Sequence, residues 1–141
     1  MIDALRMSLN ATAVFGFVMY ILVAAILFAL FQFIYSRVTP HKEFALIREN
    51  NSAAALALGG SLIGFALPAS NIITYSIGIL DVIVWVVIAA VVQLAAFGVT
   101  SLVLKGLSTR IAKGEMAAAI YSASVAISVG LLNAACMTPS V

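Results

Sequence analysis

Charged side chains are scarce in this chain. Only 9% of its 141 residues are Asp, Glu, Lys or Arg, whereas 65% are hydrophobic; soluble domains contain roughly 25% and 45–50% of these two classes. Seven cationic and five acidic side chains are too few to cover the surface of a water-facing globule. The composition therefore excludes a soluble enzyme and predicts a protein that is mostly surrounded by lipid.

Histidine and cysteine are just as rare, with one residue of each, His41 and Cys136. A single cysteine cannot form an intramolecular disulfide. The predicted topology places the two residues on opposite sides of a hydrocarbon core of about 30 Å, which rules out a catalytic dyad. The sequence also lacks paired cysteines, a glycine-rich phosphate loop and a basic face for nucleic acid. We therefore expect no catalytic residues, no metal site, no cofactor and no nucleic-acid partner.

Four long apolar runs dominate what the sequence does contain. Among all the charged side chains, only Asp81 lies within these runs, and a lipid bilayer imposes this kind of segregation. A transmembrane helix needs about 20 apolar residues, and the runs show no strand-like alternation. The second run is the shortest, because Pro68 is predicted to end or kink its helix. The sequence thus predicts an all-α membrane protein, one membrane domain over residues 1–141, with four transmembrane helices at 11–35, 52–68, 79–104 and 116–136.

The cationic side chains are concentrated in two of the connections between these runs. Cytoplasmic loops of membrane proteins carry an excess of Lys and Arg, so both connections are predicted to be cytoplasmic and both termini periplasmic. The connections are either solvated linkers or a docking surface for a cytoplasmic protein or anionic lipid head groups. The candidate docking residues are Arg37, Lys42 and Arg48 in the first connection and Lys105, Arg110 and Lys113 in the third.

A short helix is predicted in the first of these connections. Thr39 is followed by Pro40 and then Glu43, and a proline at the first helical position with an acid in the first turn is typical of a helix start. The apolar side chains of this helix are expected to lie on lipid at the membrane surface. Leu107 and Ile111 have the same predicted role in the third connection.

The two halves of the chain resemble each other when one is shifted by 64 residues. The segment NNSAAAL at 50–56 then falls on GEMAAAI at 114–120, and both halves have the order long span, basic linker, triple alanine, small-residue span. Because each unit crosses the membrane twice, the two copies enter it in the same direction. We therefore predict two tandem, parallel two-helix repeats at about residues 11–70 and 79–138.

Small residues four positions apart mark one face of the second helix in each repeat. Gly60 and Gly64 correspond to Ser124 and Ser128 at the same shift, and Gly59 lies beside the first pair. Such residues allow two helix backbones to approach closely in lipid, where dispersion replaces the hydrophobic drive. These faces serve either the fold within one chain or a contact between subunits.

Three polar residues within the apolar runs are candidates for a polar site. Asp81 and Asn133 lie near the outer ends of the third and fourth runs, at a similar depth, and Gln93 lies near the middle of the third. An ionisable residue in a membrane span is by default a functional candidate, but an Asp this close to a helix start also serves as a cap. Gln93 needs a polar partner at its depth, which is either a neighbouring helix or a water-lined path.

Three segments carry a resemblance to a known family. They are TPHKE at 39–43, SAAALALGGSLIGFALP at 52–68 and GLLNAACMT at 130–138. These segments are similar to those of the YjfL-like family of small bacterial inner-membrane proteins, and the likeness runs nearly end to end. The family is classed as a domain of unknown function, so the resemblance implies a four-span chain in a bacterial inner membrane without assigning catalytic residues. One departure is Asn50, where the family has a glycine, and it concerns the local turn.

Two functions remain open from the sequence. The first is an oligomeric channel or transporter for an ion or small solute, which the parallel repeats and the polar residues in the spans favour. Four helices scarcely enclose a path, so this function requires a homo-oligomer. The second is a non-transporting membrane scaffold or envelope-stress regulator that recruits a cytoplasmic protein through the basic loops; the stress role is a hint from the family resemblance alone.

Overall fold

The computed structural model describes residues 1–137, and helices account for nearly all of them. Four helices are long and apolar enough to cross a membrane, and no strand occurs between residues 1 and 137. The predicted all-α membrane class is therefore confirmed. The helices are α1 (Ile2–Ser8), α2 (Ala11–Val38), α3 (Glu43–Arg48), α4 (Ser52–Tyr75), α5 (Ile79–Val103), α6 (Leu107–Ala112) and α7 (Met116–Cys136).

Asparagine side chains set the starts of two spanning helices. The Asn10 Oδ1 atom accepts a hydrogen bond from the Ala13 N–H at 2.7 Å at the start of α2. The Asn51 Oδ1 atom accepts one from the Ala54 N–H at 3.0 Å at the start of α4. Each bond satisfies a backbone donor that has no partner within its own helix. Helix α2 ends at Val38, shortly after the predicted end, because a proline two residues later disfavours the helical conformation in the residue before it.

Helix α4 continues through Pro68 to Tyr75, so the predicted end of this span at residue 68 is wrong. A proline has no N–H, and the carbonyl oxygen of Gly64 therefore loses its usual helical donor. That oxygen faces Gly130 of α7, where an added methyl group would overlap it. Packing of this kind against a neighbouring helix allows a transmembrane helix to tolerate a proline in its interior.

Helices α4 and α7 form the closest pair in the bundle. A Cβ atom added to Gly60 would overlap Ala123, and a Cβ atom added to Gly64 would overlap both the Ala126 carbonyl group and the Gln93 amide. The two backbones are thus in direct contact, as small residues allow. Because α4 also packs against α2, α3, α5 and α6, it lies at the centre of the fold.

Helix α2 lies at the edge of the bundle and is held near one end. Its only buried side chains are Phe31 and Tyr35. The Phe31 ring stacks on Phe65 of α4 with the centroids 4.0 Å apart, and the Tyr35 ring meets Phe97 of α5 edge-on at 5.5 Å. Most apolar side chains before this aromatic group are exposed, as expected for a helix that faces lipid.

The short helices α3 and α6 lie at the same end of the bundle, called the α3/α6 end below. Helix α3 begins at Glu43 and not at Pro40, so the predicted helix start is wrong; the Thr39 hydroxyl contacts the Glu43 side chain instead. Leu107 and Ile111 of α6 are fully buried. They do not lie on lipid as predicted, because α6 packs against α4, α5 and α7.

The turns that follow α3 and α6 have the same geometry. Asn50 has a φ angle of 64° and Gly114, its counterpart in the shifted alignment, has 82°. In both turns the next N–H bonds back to a carbonyl group five residues earlier, at 2.9 and 3.0 Å. Asparagine and glycine adopt this left-handed conformation most readily, so Asn50 preserves the turn. The internal duplication stays a prediction, and its end at residue 138 and the C-terminus lie outside the described residues.

Candidate functional site

A carboxyl group is buried at the α3/α6 end, where the chain passes from α2 into α3. Glu43 is only 1% exposed, although glutamate is almost never fully buried without a partner. The turn brings Thr39 Oγ1 to 2.5 Å from Glu43 Oε1. The same Oγ1 atom lies 3.0 Å from the carbonyl oxygen of Tyr35. Thr39 therefore connects the buried carboxyl group to the last turn of α2.

The only histidine of the chain lies beside this carboxyl group. His41 Nε2 is 3.5 Å from Glu43 Oε1, and the histidine side chain is 4% exposed. Neither ring nitrogen, nor Glu43 Oε2, has a hydrogen-bond partner among the described residues. Ser36 lies next to the carboxyl group, but its hydroxyl is not aligned for a hydrogen bond. Ser36, Thr39, His41 and Glu43 are called the Glu43 cluster below.

Burial acts in opposite directions on the two titratable groups of the Glu43 cluster. It raises the pKa of Glu43, because a carboxylate is poorly solvated inside the protein, and a hydrogen bond that Thr39 donates to the ionised form offsets only part of this rise. It lowers the pKa of His41, because an imidazolium loses its hydration in the same way. Both shifts favour the uncharged forms, a protonated Glu43 and a neutral His41.

Tyr35 extends the polar contacts from the Glu43 cluster toward the middle of the bundle. Its side chain is buried. Its phenol lies within reach of the Ser61 side chain on α4 and is close enough to interact electrostatically with Glu43. Tyr35 follows Phe31 by one helical turn, so both side chains share the face of α2 that contacts the bundle.

A small polar cavity lies between α4, α5 and α7. Its volume is about 10 Å³, close to the space that one water molecule needs. Gln93 borders this cavity and is 1% exposed. Its Nε2 atom donates to the Ala126 carbonyl oxygen at 3.0 Å, while its Oε1 atom receives no hydrogen bond from the described part of the chain. The polar residues that line the cavity are Ser61, Gln93, Thr100 and Ser122.

The Glu43 cluster, Tyr35 and these cavity residues form one series of buried polar groups, called the polar row below. The row stops where Gly64 of α4 meets Gly130 of α7. Asn133 lies seven residues beyond Ala126 on α7, about 10 Å farther along the helix. It is buried, and its Nδ2 atom has no hydrogen-bond partner within residues 1–137. The interior is therefore closed between Gln93 and Asn133.

The two polar candidates near the outer ends of the spans have different surroundings in the structure. Asp81 lies in the first turn of α5 and accepts a hydrogen bond from the Ile77 N–H at 3.3 Å, just before the helix begins. No hydrogen bond links it to Asn133 in the described region. Asp81 borders a separate cleft of about 300 Å³ that also contains Trp85 and Cys136. A polar site at these two residues stays a prediction, because similar depth in the membrane does not fix the direction in which each side chain points.

The predicted packing residues divide into two groups. Gly60 and Gly64 contact α7, whereas a Cβ atom on Gly59 would meet nothing within 4 Å. Ser124 and Ser128 are exposed, and their hydroxyls donate to carbonyl oxygens of their own helix at 2.7 Å. The face that α7 turns to α4 is offset from these serines. A contact between subunits through Ser124 and Ser128 stays a prediction.

The six predicted docking cations belong to the α3/α6 end. Arg110 pairs with Glu115 at 2.5 Å, and the Arg37 guanidinium lies 4.5 Å above the Phe33 ring. Asn51 joins the two basic connections, because its Nδ2 atom donates to two carbonyl oxygens at the end of α6, each at 3.1 Å. The remaining four cations are exposed: Lys42, Arg48, Lys105 and Lys113.

The Glu43 cluster was not identified as a site from the sequence. Its signals were present: Glu43 is the only acid of the first connection that lies within three residues of the single histidine, His41. Ser61, Thr100 and Ser122 gave no such signal, because serine and threonine are also common packing residues in membrane helices. No group of three or more His, Cys, Asp or Glu side chains that could hold a metal ion occurs among the described residues.

Comparisons with known proteins agree with the architecture. A family model described as Domain of Unknown Function (DUF350) matches residues 8–137. The chain is 38% identical over 123 residues to the UPF0719 inner membrane protein YjfL of Escherichia coli strain K12, a match that covers 87% of this chain and 93% of that protein. The protein of the same name from Escherichia coli O157:H7 matches with the same identity and coverage. No solved structure matches.

Proposed function

Because this chain belongs to the DUF350 family, whose function is unknown, and is an inner-membrane protein, its function must be inferred from its own residues: we propose that it is an oligomeric transport protein for an ion or small solute. From the cationic connections we infer that the α3/α6 end faces the cytoplasm and the other end of the bundle the periplasm. The buried Glu43 cluster then lies nearer the cytoplasmic side of the bundle.

The polar row is the observation that carries this proposal. Polar side chains inside a lipid-embedded bundle are costly and are most often retained for function. Buried polar groups that serve only the fold mostly have a hydrogen-bond partner, either in the protein or in an ordered water molecule. Gln93 Oε1 and both nitrogens of His41 have none in residues 1–137, although all of them are buried. The row also runs from one end of the bundle to its middle, as a path for a small charged species requires.

The oligomer follows from where the polar row ends. Within one chain the row stops at the contact between Gly64 and Gly130, and four helices leave no continuous path beside it. Helix α2 exposes most of its length, so a second copy can pack against it without displacing another helix. Closed symmetric assemblies are the usual form of such homo-oligomers.

A scaffold that recruits a cytoplasmic protein is the second candidate function. It is favoured by the four exposed cations at the α3/α6 end, Lys42, Arg48, Lys105 and Lys113. Anionic lipid head groups attract the same residues, so these cations by themselves do not require a protein partner. Glutamine substitutions at the four positions that leave capture of a cytoplasmic protein unchanged would exclude this role.

Reconstitution tests the transport proposal. Purified protein is placed in liposomes, and the flux of protons, sodium, potassium and small organic solutes is measured across a range of pH. We expect flux of at least one species, reduced at least tenfold by Gln93→Leu. Gln32→Leu is the matched control, because Gln32 lies on α2 outside the polar row. Correctly folded wild-type protein that passes none of these species at any pH would refute the proposal.

A further inference from the structure

The contacts of the Thr39 hydroxyl constrain the protonation state of Glu43. A threonine hydroxyl has one hydrogen, yet Thr39 Oγ1 lies 3.0 Å from the Tyr35 carbonyl oxygen and 2.5 Å from Glu43 Oε1. A carbonyl oxygen and a carboxylate oxygen have no hydrogen to donate, so beside an ionised Glu43 the single hydroxyl hydrogen would have to be shared between the two contacts. A proton on Glu43 satisfies them, because the carboxylic acid then donates to Thr39 and Thr39 donates to Tyr35.

Among residues 1–137, the groups that face Glu43 include no permanent cation, and its chain neighbour Lys42 is exposed. On its own segment it meets His41 at 3.5 Å, and from α2 it meets Ser36, Thr39 and the more distant phenol of Tyr35. Helix α4, which packs against α3, has no ionisable residue except Tyr75 at its far end. A buried carboxylate without a cationic partner is strongly disfavoured, and protonation removes its charge.

We propose that Glu43 is a proton-binding residue, loaded through His41, and that the species carried by the polar row is the proton. This inference rests on the transport function proposed above. The loading step is a simple transfer: the Nε2–H bond of a protonated His41 breaks, the proton forms an O–H bond with the Glu43 carboxylate, and neutral imidazole and neutral carboxylic acid remain. His41 then takes its next proton from the cytoplasmic side.

The size of the interior favours a proton over other ions. The cavity at Gln93 measures about 10 Å³, enough for about one water molecule. A sodium or potassium ion would need several oxygen ligands in place of its hydration shell, which this space does not hold. A proton needs only hydroxyl groups and single water molecules between which it can move. Tyr35 and Ser61 supply such hydroxyls between Glu43 and the cavity.

Infrared spectroscopy of the full chain in lipid nanodiscs tests the proton site directly. A protonated carboxylic acid has a C=O stretching band apart from that of carboxylates. At neutral pH we expect one such band from a buried acid, absent in Glu43→Gln and retained in Glu49→Gln, which removes an exposed acid near the same short helix. Thr39→Val is expected to shift the band, because it removes the hydroxyl that accepts the proton. The band shift in Thr39→Val is a second readout, so the test can still be interpreted if Glu43→Gln fails to fold.

Proton flux into liposomes supplies the second measurement. We expect Glu43→Gln to reduce proton flux at least tenfold and His41→Gln to slow it, with Glu49→Gln unchanged. A wild-type protein that moves another ion or a solute but has no protonated-acid band would overturn the proton inference and leave transport standing. A Glu43 band without flux of any species would overturn transport, and with it the identity of the carried ion, but would retain the proton-binding site.

Discussion

Gly130 of α7 lies so close to Gly64 of α4 that a single added methyl group would overlap the Gly64 carbonyl oxygen. That oxygen is the one that Pro68 deprives of its helical donor. The contact therefore supports the irregular turn of α4 and also marks the inner end of the polar row. Stability and closure of the interior depend on the same pair of residues.

Substitution of Gly130 by Ala is expected to destabilise the bundle by about 1–3 kcal/mol, because the added methyl group forces α4 and α7 apart. The measurement is the free energy of unfolding in mixed detergent micelles. Gly98→Ala is the matched control, since Gly98 is exposed on α5 with nothing near its missing Cβ atom. That change should be neutral or slightly stabilising. Equal effects of the two substitutions would contradict the close contact.

Asn51 is expected to matter more for stability than Asn10, although both cap a spanning helix. Asn51→Ala removes the cap of α4 and two hydrogen bonds to α6, a loss of about 2 kcal/mol or more. Asn10→Ala removes the cap of α2 and should cost about 1 kcal/mol. Asn51→Asp separates the two roles, since it keeps the cap and loses the donors to α6. An Asn51→Asp protein as stable as wild type would show that the link to α6 contributes nothing.

The pH dependence of stability should have two limbs from the Glu43 cluster. Burial raises the pKa of Glu43 above its ordinary 4.5, so the folded state holds a proton that the unfolded state releases, and stability falls as the pH rises above that value. Burial lowers the pKa of His41 below 6.5, so stability falls as the pH drops below that value, where only the unfolded state gains the proton. Chemical unfolding at a series of pH values measures both limbs.

Two substitutions assign these limbs. Glu43→Gln should flatten the limb at rising pH, because glutamine resembles the neutral acid and cannot ionise. His41→Gln should flatten the limb at falling pH. If both limbs persist in both variants, groups outside the Glu43 cluster are responsible for them.

Membrane orientation is expected to follow the cationic connections. Reporter fusions at residues 45 and 110 should be cytoplasmic, and a fusion at residue 74 should be periplasmic. Paired reporters, one active in each compartment, provide the measurement. An active periplasmic reporter at residue 45 or 110 would reverse the topology and place the Glu43 cluster on the outer side.

The sequence predicted how deep each residue lies in the membrane far better than the direction in which its side chain points from the helix. Charge segregation was enough to locate all four spans. It could not show that α4 passes Pro68, because that depends on the contact between Gly64 and Gly130. Asp81 and Asn133 were placed at a similar depth, but Asp81 bonds to the backbone just before its own helix, whereas Asn133 is buried.

The Glu43 cluster shows a second limit of the sequence. Whether an acid in a polar connection meets water or protein depends on how α3 folds back on α4, and local composition does not encode that contact. The left-handed turn at Asn50 could in principle have been predicted from the sequence, because only a few residue types adopt it. The cavity at Gln93 could not, since residues of three different helices form it.

Helix α2 has 28 residues, about 42 Å of helix, against a hydrocarbon layer of about 30 Å. It is anchored by the stack of Phe31 on Phe65 and the contact of Tyr35 with Phe97 near the α3/α6 end, and most of its earlier apolar side chains are exposed. Differences in bilayer thickness can therefore be absorbed by tilting this one helix about its aromatic anchor. The other three spanning helices then keep their positions relative to one another. A change in bilayer thickness therefore does not disturb the buried groups at the α3/α6 end.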